Sequence, residues 1–177
     1  MALVIFLRGV NVGGHRTFRP SLLANRMKDY GCINIGAAGT FVISKPCGQT
    51  RFRAELLRRL PFEADVMICT SHELIAAASA SPFVGVAAPS DVVRFVTVLA
   101  KVPKSPPSIP IHVPENGRWL LKILAIDGRF VFGVYRREMK AIGCLGKIDN
   151  LLGVRATTRN WNTINAILKV LQKISDE

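Results

Sequence analysis

The order of apolar segments in residues 1–82 constrains the fold more strongly than any other feature of this chain. The apolar run at residues 2–7 predicts a strand buried on both faces, because no polar residue alternates along it. A helical pattern begins at Pro20, two short apolar runs follow, and a second helical pattern at 51–60 precedes a final apolar run at 64–70. The resulting order, strand, helix, strand, strand, helix, strand, predicts a ferredoxin-like βαββαβ unit.

Single residues at the ends of these segments support the same elements. Proline suits the first turn of a helix and glycine suits a helix end, so Pro20 marks a start and Gly31 marks a stop. Gly39 is expected in the turn of a hairpin made by the two short apolar runs. Ser71 is expected to cap a short helix that follows the last strand.

A segment rich in proline, glycine and small residues, at residues 81–91, predicts a linker. We therefore divide the chain into a first domain at 1–82 and a second α+β subdomain at 83–177. The second is expected to be a smaller α/β sandwich unit, which assigns the whole chain to the α+β class. Residues 101–117 contain five prolines, which exclude a regular helix there and predict a long irregular connection.

The second subdomain is predicted to contain a β-hairpin and a closing helix. Residues 118–135 form the hairpin pattern, with Asp127-Gly128 expected as a type I′ turn. Apolar residues recur at helical spacing from Trp161 to Ile174, which predicts an amphipathic helix. Trp161 lies on this apolar stripe and is expected to belong to the core.

Charge is the strongest signal in the composition. The chain contains 24 basic and 12 acidic residues, a net charge of +12. Residues 1–82 contain 10 of the basic and 5 of the acidic residues, so both halves share the excess and it does not form a detachable tail. A positive field of this kind favours polyanions such as nucleic acid. The alternative is a solvated basic surface that only keeps the protein in solution.

Several classes of function lack support in the sequence. The run at residues 2–7 is too short to span a bilayer and lacks the features of a signal peptide, so no membrane partner is expected. The four cysteines and three histidines have no metal-ligand spacing, so neither a metal nor another cofactor is predicted. Scattered free thiols are typical of a cytoplasmic location. Hydrolase and zinc-protease motifs are absent from the sequence, so whether the protein is an enzyme stays open.

The stretch LRGVNVGGHR, residues 7–16, is the first candidate site. Glycines after a first strand let the backbone approach a ligand and turn its N–H groups toward an anion. Arg8 can hold a carboxylate or phosphate through two hydrogen bonds. The glycine spacing fits neither a Walker A loop nor a dinucleotide-binding loop, and a tight strand-exit turn is the alternative. The ligand-binding candidates here are Arg8, Asn11, Gly13, Gly14, His15 and Arg16.

The stretch RATTRNWNT, residues 155–163, is the second candidate site. Thr157 or Thr158 is expected to cap the closing helix. A helix N-terminus flanked by Arg155 and Arg159 attracts anions. The alternative is an ordinary helix cap beside a core tryptophan. The ligand-binding candidates here are Thr157, Thr158, Arg159 and Asn160.

These two stretches together resemble the terminal motifs of a bacterial family of unknown function. Its members open with a pattern like LLRGINVGG and close with one like ATTRNWNTV. This chain has FLRGVNVGG at residues 6–14 and ATTRNWNTI at residues 156–164. The resemblance covers nearly the whole chain and implies two ferredoxin-like α/β units, but it implies no particular activity.

The chain departs from the family pattern in three places. Where members have a sequence like YIQSGNVVF, this chain has IGAAGTFVI at residues 35–43, with Gly39 kept and Ala37 and Ala38 in place of a polar pair. Members tend to have a Ser-Lys pair before the penultimate helix, for which Lys140 is the nearest candidate. The Pro-rich segment replaces a region that is helical in relatives. If the polar pair contacts a ligand in relatives, that contact is missing here, and the site and the shape of the second unit are expected to differ from theirs.

Our leading hypothesis is a binder of a phosphate-bearing ligand, with nucleic acid favoured by the high, distributed charge. The alternatives are a small-molecule enzyme acting on a nucleotide or other anionic substrate, and a non-catalytic adaptor for an acidic protein partner. The basic cluster RREMK at residues 136–140 is either a phosphate contact or a solvated loop. Phe130 and Phe132 either stack bases or, as we favour, pack in the core. The oligomeric state stays open.

Overall fold

The computed structural model describes residues 1–10 and 18–176. The chain forms two compact units, one made of Met1–Ala76 with Asn165–Glu177 and the other of Ala77–Ile164. The chain contains two antiparallel sheets together with helices, which confirms the α+β class. The predicted boundary between the two domains stays a prediction.

The first unit contains a four-stranded sheet. Its elements, in chain order, are β1 (Leu3–Leu7), α1 (Pro20–Arg26), β2 (Cys32–Asn34), β3 (Thr40–Ile43), α2 (Gln49–Arg59), β4 (Val66–Thr70) and the first part of α3 (Ser71–Ser79). The strand order is β2-β3-β1-β4, and every neighbouring pair is antiparallel. The ferredoxin-like unit has this order of elements, so the predicted βαββαβ pattern is confirmed.

Strand β1 is buried on both faces, as the sequence predicts. Leu3, Ile5 and Leu7 pack into a hydrophobic core with residues of α1 and α2. Val4 and Phe6, whose side chains point to the opposite face, are fully buried. Because both sides of β1 are covered, the described part of this sheet offers no open face at its middle on which a nucleic-acid base could stack.

The turn of the first hairpin requires glycine, as predicted at Gly39. This residue has φ +69°, a conformation that side chains rarely adopt. A Cβ atom at Gly39 would lie 2.7 Å from Cγ2 of Val10 and 2.9 Å from Cβ of Leu7. The Gly39 carbonyl also accepts a hydrogen bond of 2.8 Å from the Leu7 N–H. The hairpin turn is therefore packed tightly against the chain that leaves β1.

The helix boundaries follow the predicted signals with one correction. Helix α1 begins at Pro20 as predicted, and a 3-10 turn continues to Gly31, which has φ +62°. The predicted cap at Ser71 is wrong by one residue. The Thr70 hydroxyl accepts the Glu73 N–H at 3.2 Å, and the Glu73 carboxylate accepts the Thr70 N–H at 2.7 Å. Thr70 and Glu73 thus form a capping box, which satisfies two backbone donors at once.

The second unit contains a five-stranded sheet. Its elements, in chain order, are β5 (Val92–Leu99), β6 (Ile111–Val113), β7 (Leu121–Asp127), β8 (Phe130–Arg136), α4 (Met139–Leu145), α5 (Ile148–Leu152), β9 (Ala156–Asn160) and the first turn of α6 (Trp161–Asp176). The strand order is β6-β7-β8-β5-β9, with antiparallel pairing throughout. Helix α5 contributes Ile148 and Leu152 to a core with Phe95 and Leu99 of β5, and Leu145 of α4 packs against it. The Pro-rich segment contains only the short strand β6.

The long hairpin forms as predicted, but its turn is shifted by one residue. Asp127 pairs with Phe130, so the turn residues are Gly128 and Arg129. Gly128 has φ +56°, whereas Arg129 does not have a positive φ. A type I′ turn needs positive φ at both positions, so the predicted turn type is wrong.

The two phenylalanines of β8 lie in the core. Phe130 is 4 % exposed and Phe132 is 1 % exposed. The core interpretation is therefore confirmed, and base stacking on these rings is excluded. Among the described helices, none combines the length and apolar character that a membrane crossing requires.

Candidate functional site: a groove in the second unit

The segment before the closing helix is a strand rather than a loop. Thr157 pairs with Val98 of β5 and Thr158 pairs with Thr97, so both threonines lie within β9. The predicted cap at Thr157 or Thr158 is therefore wrong. Instead, Oδ1 of Asn160 accepts hydrogen bonds from the N–H and the hydroxyl of Thr163, at 2.8 and 2.9 Å. Asn160 caps α6, and the helix begins at the residue after it.

Arg159 lies in the interior of the second unit. Its side chain is buried, and Nη1 donates to the Thr157 hydroxyl and the Thr158 carbonyl, both at 2.9 Å. Burial lowers the pKa of the Arg159 guanidinium to about 10, because a low-dielectric surrounding disfavours the charged form. Because it is buried, the Arg159 side chain exposes little surface to a ligand.

The first candidate site lies mostly outside the described residues. Its Asn11, Gly13, Gly14, His15 and Arg16 are not described, so their role in ligand binding stays a prediction. Arg8 donates its backbone N–H to the Asp65 carbonyl at 2.9 Å, and its Nη1 lies 4.0 Å from an Asp65 carboxylate oxygen. Both side chains are about one-third exposed, so solvent screens this ion pair.

A groove lies beside strand β5, at the point where its neighbouring strand β9 ends. The β9 strand covers β5 only as far as the Phe95–Asn160 pair, and Val92–Arg94 extend beyond it. Beside this overhang is a groove of about 360 Å³, open to solvent. The groove is lined by Ala88, Val92, Val93, Arg94, Tyr135, Arg137, Asn160, Trp161 and Asn162. Of the four ligand-binding candidates in the second stretch, only Asn160 lines this groove, and ligand binding by all four stays a prediction.

The groove has positive charge without a matching negative charge. Arg94 and Arg137 are among its nine lining residues, all of which the structure describes, and none is acidic. The nearest acidic residues along the chain are paired elsewhere: Asp91 lies 2.8 Å from Arg136, and a hydrogen bond from Arg118 lowers the pKa of Glu138. Among the described residues, no carboxylate lies within 4.0 Å of either groove arginine. An anion would therefore meet two guanidinium groups that no acid already neutralises.

Arg94 is held in place before any ligand arrives. Its Nη2 donates to the Val86 carbonyl, and its Cζ lies 5.6 Å from the centre of the Phe83 ring. Its Nε is buried and has no hydrogen-bond partner, so the fold does not satisfy every donor of this guanidinium. A side chain already fixed in one place loses less entropy when a ligand binds it.

Two aromatic residues complete the groove. The Trp161 ring packs edge-on against Phe83, with centroids 5.0 Å apart, and against Phe132, at 6.5 Å. It is half-buried, so the predicted core role holds for only part of the side chain. Tyr135 packs against Phe95 at 6.0 Å. Phe132 and Tyr135 point to opposite faces of β8, so Trp161 and Tyr135 pack on opposite faces of the sheet, and both line the groove.

Arg94, Tyr135 and Asn162 were not predicted as site residues from the sequence, and Arg137 was predicted only within a basic cluster. The available signal was a charged residue inside an otherwise apolar strand pattern, since Arg94 interrupts the run VVRFVTVL. The described residues contain no cluster of three or more His, Cys, Asp or Glu side chains suited to a metal ion.

Comparisons with known proteins agree with this architecture. The conserved bacterial protein SP0830 from Streptococcus pneumoniae has a similar structure, with a TM-score of 0.55 and 14 % sequence identity, over 96 % of this chain and 98 % of that one. At this identity the likeness shows the fold alone. The curated proteins contain no match to the chain. A model of a family described as a protein of unknown function, DUF1697, matches residues 1–109. The chain therefore belongs to the DUF1697 family, which confirms the predicted membership of a family of unknown function.

Proposed function

We propose that the protein binds a phosphate-bearing ligand in the groove, with nucleic acid as the leading class. One observation carries the proposal: Arg94 and Arg137 line a concave surface in which no carboxylate balances them. Guanidinium groups present several N–H donors in a planar fork that matches the oxygens of a phosphate. The groove is thus suited to an anion with several acceptor oxygens.

The charge of the whole chain favours a polyanion over an isolated phosphate. A net charge of +12 raises the local concentration of any polyanion around the protein. Nucleic acid gains additional affinity from the release of its counterions, and that gain grows with each phosphate contacted. A polyanion would therefore use both the long-range field and the groove.

The size of the groove supports a second candidate, a small anionic molecule such as a nucleotide. Its volume of about 360 Å³ falls within the range of roughly 300–1,000 Å³ typical of small-molecule sites. An adaptor for an acidic protein, by contrast, does not need a concave site.

The proposal is tested by fluorescence anisotropy with labelled single-stranded RNA over a series of salt concentrations. Arg137→Ala is expected to weaken binding and to reduce the slope of log affinity against log salt by about 0.7–1, the loss of one phosphate contact. Arg51→Ala is the matched control, because Arg51 is an exposed arginine of α2 outside the groove. It removes the same charge and should leave the slope unchanged. Equal effects of the two variants, or no binding at low salt, would contradict the proposal.

A further inference from the structure

We infer that the groove accepts one unpaired nucleotide, with its base against Trp161 and its phosphate against Arg94 and Arg137. This inference rests on the proposed function and adds the chemical class of the ligand. It follows from the combination of an anchored indole ring and unneutralised arginines in a single concave surface. A ligand that bears only phosphate would use the arginines and leave the indole of Trp161 without a partner.

The shape of the groove favours an unpaired nucleotide over a duplex. A groove of about 360 Å³ suits a ligand of small-molecule size. A base in a duplex is stacked and paired in the interior of the helix, so it cannot reach an aromatic side chain on a protein surface unless it is flipped out. A free nucleotide and a nucleotide within a single strand both present an accessible base and a phosphate, so either can be the ligand.

The indole of Trp161 is suited to stacking because the fold fixes it. Trp161 makes T-shaped contacts with Phe83 and Phe132, at interplanar angles of 69° and 70°. Stacking of a base on such a ring contributes about tenfold or more to affinity and tolerates any base, since every base has a π-face. Phe6, Phe130 and Phe132 on the sheets are buried, so their rings are not accessible to a base.

Two asparagines add hydrogen-bonding groups to the groove. Oδ1 of Asn160 already accepts two hydrogen bonds from Thr163, so its amide NH₂ is the group that can donate to a ligand. Asn162 is exposed in the first turn of α6 and offers both a donor and an acceptor. These groups can bond the edges of an unpaired base, which duplex pairing would conceal.

Tryptophan fluorescence tests the inference directly. The chain has two tryptophans, and Trp119 does not line the groove. Trp119→Phe therefore leaves Trp161 as the only indole in the chain and keeps an aromatic ring at position 119. Titration of this variant with adenosine monophosphate or a short single-stranded oligonucleotide should quench the emission of Trp161. Ribose phosphate and inorganic phosphate should not quench it. A duplex of the same sequence should bind at least about tenfold more weakly than the single strand, since it offers no base for stacking.

A charge placed in the groove separates binding from folding. Asn162→Asp adds a carboxylate beside Arg94 and Arg137, and we expect it to weaken nucleotide binding by about tenfold or more. The same carboxylate lies at a helix N-terminus, where negative charge is favourable, so the melting temperature should not fall. Asn150→Asp, at an exposed position of α5 outside the groove, is the matched control and should leave binding unchanged.

The outcomes distinguish the inference from the proposed function. Binding of inorganic phosphate and duplex as tightly as single strand, with dependence on Arg137 but without quenching of Trp161, would overturn the inference and leave the proposed function intact. Loss of dependence on Arg137 for every probe would overturn both. Equal affinity for the mononucleotide and the single strand would support the inference and identify free nucleotide as the source. Tighter binding of the strand would support it with nucleic acid as the source.

Discussion

Replacement of Asn160 by alanine should lower the free energy of unfolding by about 1–2 kcal/mol. Its Oδ1 accepts hydrogen bonds from the N–H and the hydroxyl of Thr163, at 2.8 and 2.9 Å. Loss of a helix cap costs about 1 kcal/mol, and the bond to the hydroxyl adds a smaller amount because this region is exposed. For a chain of 177 residues, each kcal/mol shifts the melting temperature by about 2–4 °C.

The assay is urea unfolding of the wild-type protein beside Asn160→Ala and Asn160→Asp. Aspartate is as good a cap as asparagine and adds a favourable charge at the helix N-terminus, so Asn160→Asp should be at least as stable as wild type. The same carboxylate lies in the groove and should weaken nucleotide binding. A loss of stability in Asn160→Asp equal to that in Asn160→Ala would refute the reasoning, because it would show that the side-chain acceptor is not what stabilises the helix.

Three further predictions follow from packing and titration. Gly133→Ala should destabilise the protein by about 3 kcal/mol or more in denaturant unfolding, because a Cβ there would collide with the Lys122 carbonyl of the neighbouring strand. Burial raises the pKa of the Cys32 thiol to about 12, so alkylation near pH 8, followed by mass spectrometry, should be at least about tenfold slower than for an unperturbed cysteine, because the smaller thiolate fraction outweighs the higher nucleophilicity of each thiolate; rapid native-state labelling would contradict this. The pKa of Glu138 lies below 4.5 because Arg118 donates a hydrogen bond to it, so its stabilising effect is present above pH 4.5 and is lost as the pH falls through the lowered pKa. In Arg118→Ala, an NMR titration should show a higher pKa for the Glu138 carboxyl group than in wild type. An unchanged pKa would refute the pairing.

The ferredoxin-like unit was predictable because its signals are local. The apolar run of β1, the glycine at Gly39 and the helical spacing after Pro20 each depend on neighbouring residues, and the order of elements then restricts the topology. A Cβ atom at Gly39 would collide with Val10 and Leu7, which explains why this turn position requires glycine.

Strand β9 was not predictable from its own sequence. The segment ATTRN lacks alternation between apolar and polar residues, and threonine followed by a helical stripe indicates a cap. Its conformation depends instead on pairing with β5, including a hydrogen bond of 2.6 Å between the hydroxyls of Thr97 and Thr158. A tertiary interaction across sixty-one positions of sequence thus overrides the local signal.

The groove was only partly predictable for the same reason. The second candidate stretch contributes Asn160, Trp161 and Asn162, but Arg94 and Tyr135 come from two other strands. Only the registers of β5 with β8 and β9 bring these side chains together. The candidate site at residues 7–16 stays a prediction alongside it.

The location of ligand binding tests the central claim most directly. Two-dimensional ¹H–¹⁵N NMR of the labelled protein, titrated with adenosine monophosphate, reports on every backbone amide and on the Nε–H groups of arginine. We predict that the largest shifts occur at Arg94, Tyr135, Arg137 and Asn162, with the Nε–H of Arg94 among them. Shifts centred on Arg8 and the stretch that follows it, or no shifts at all, would contradict the claim that the groove is the binding site.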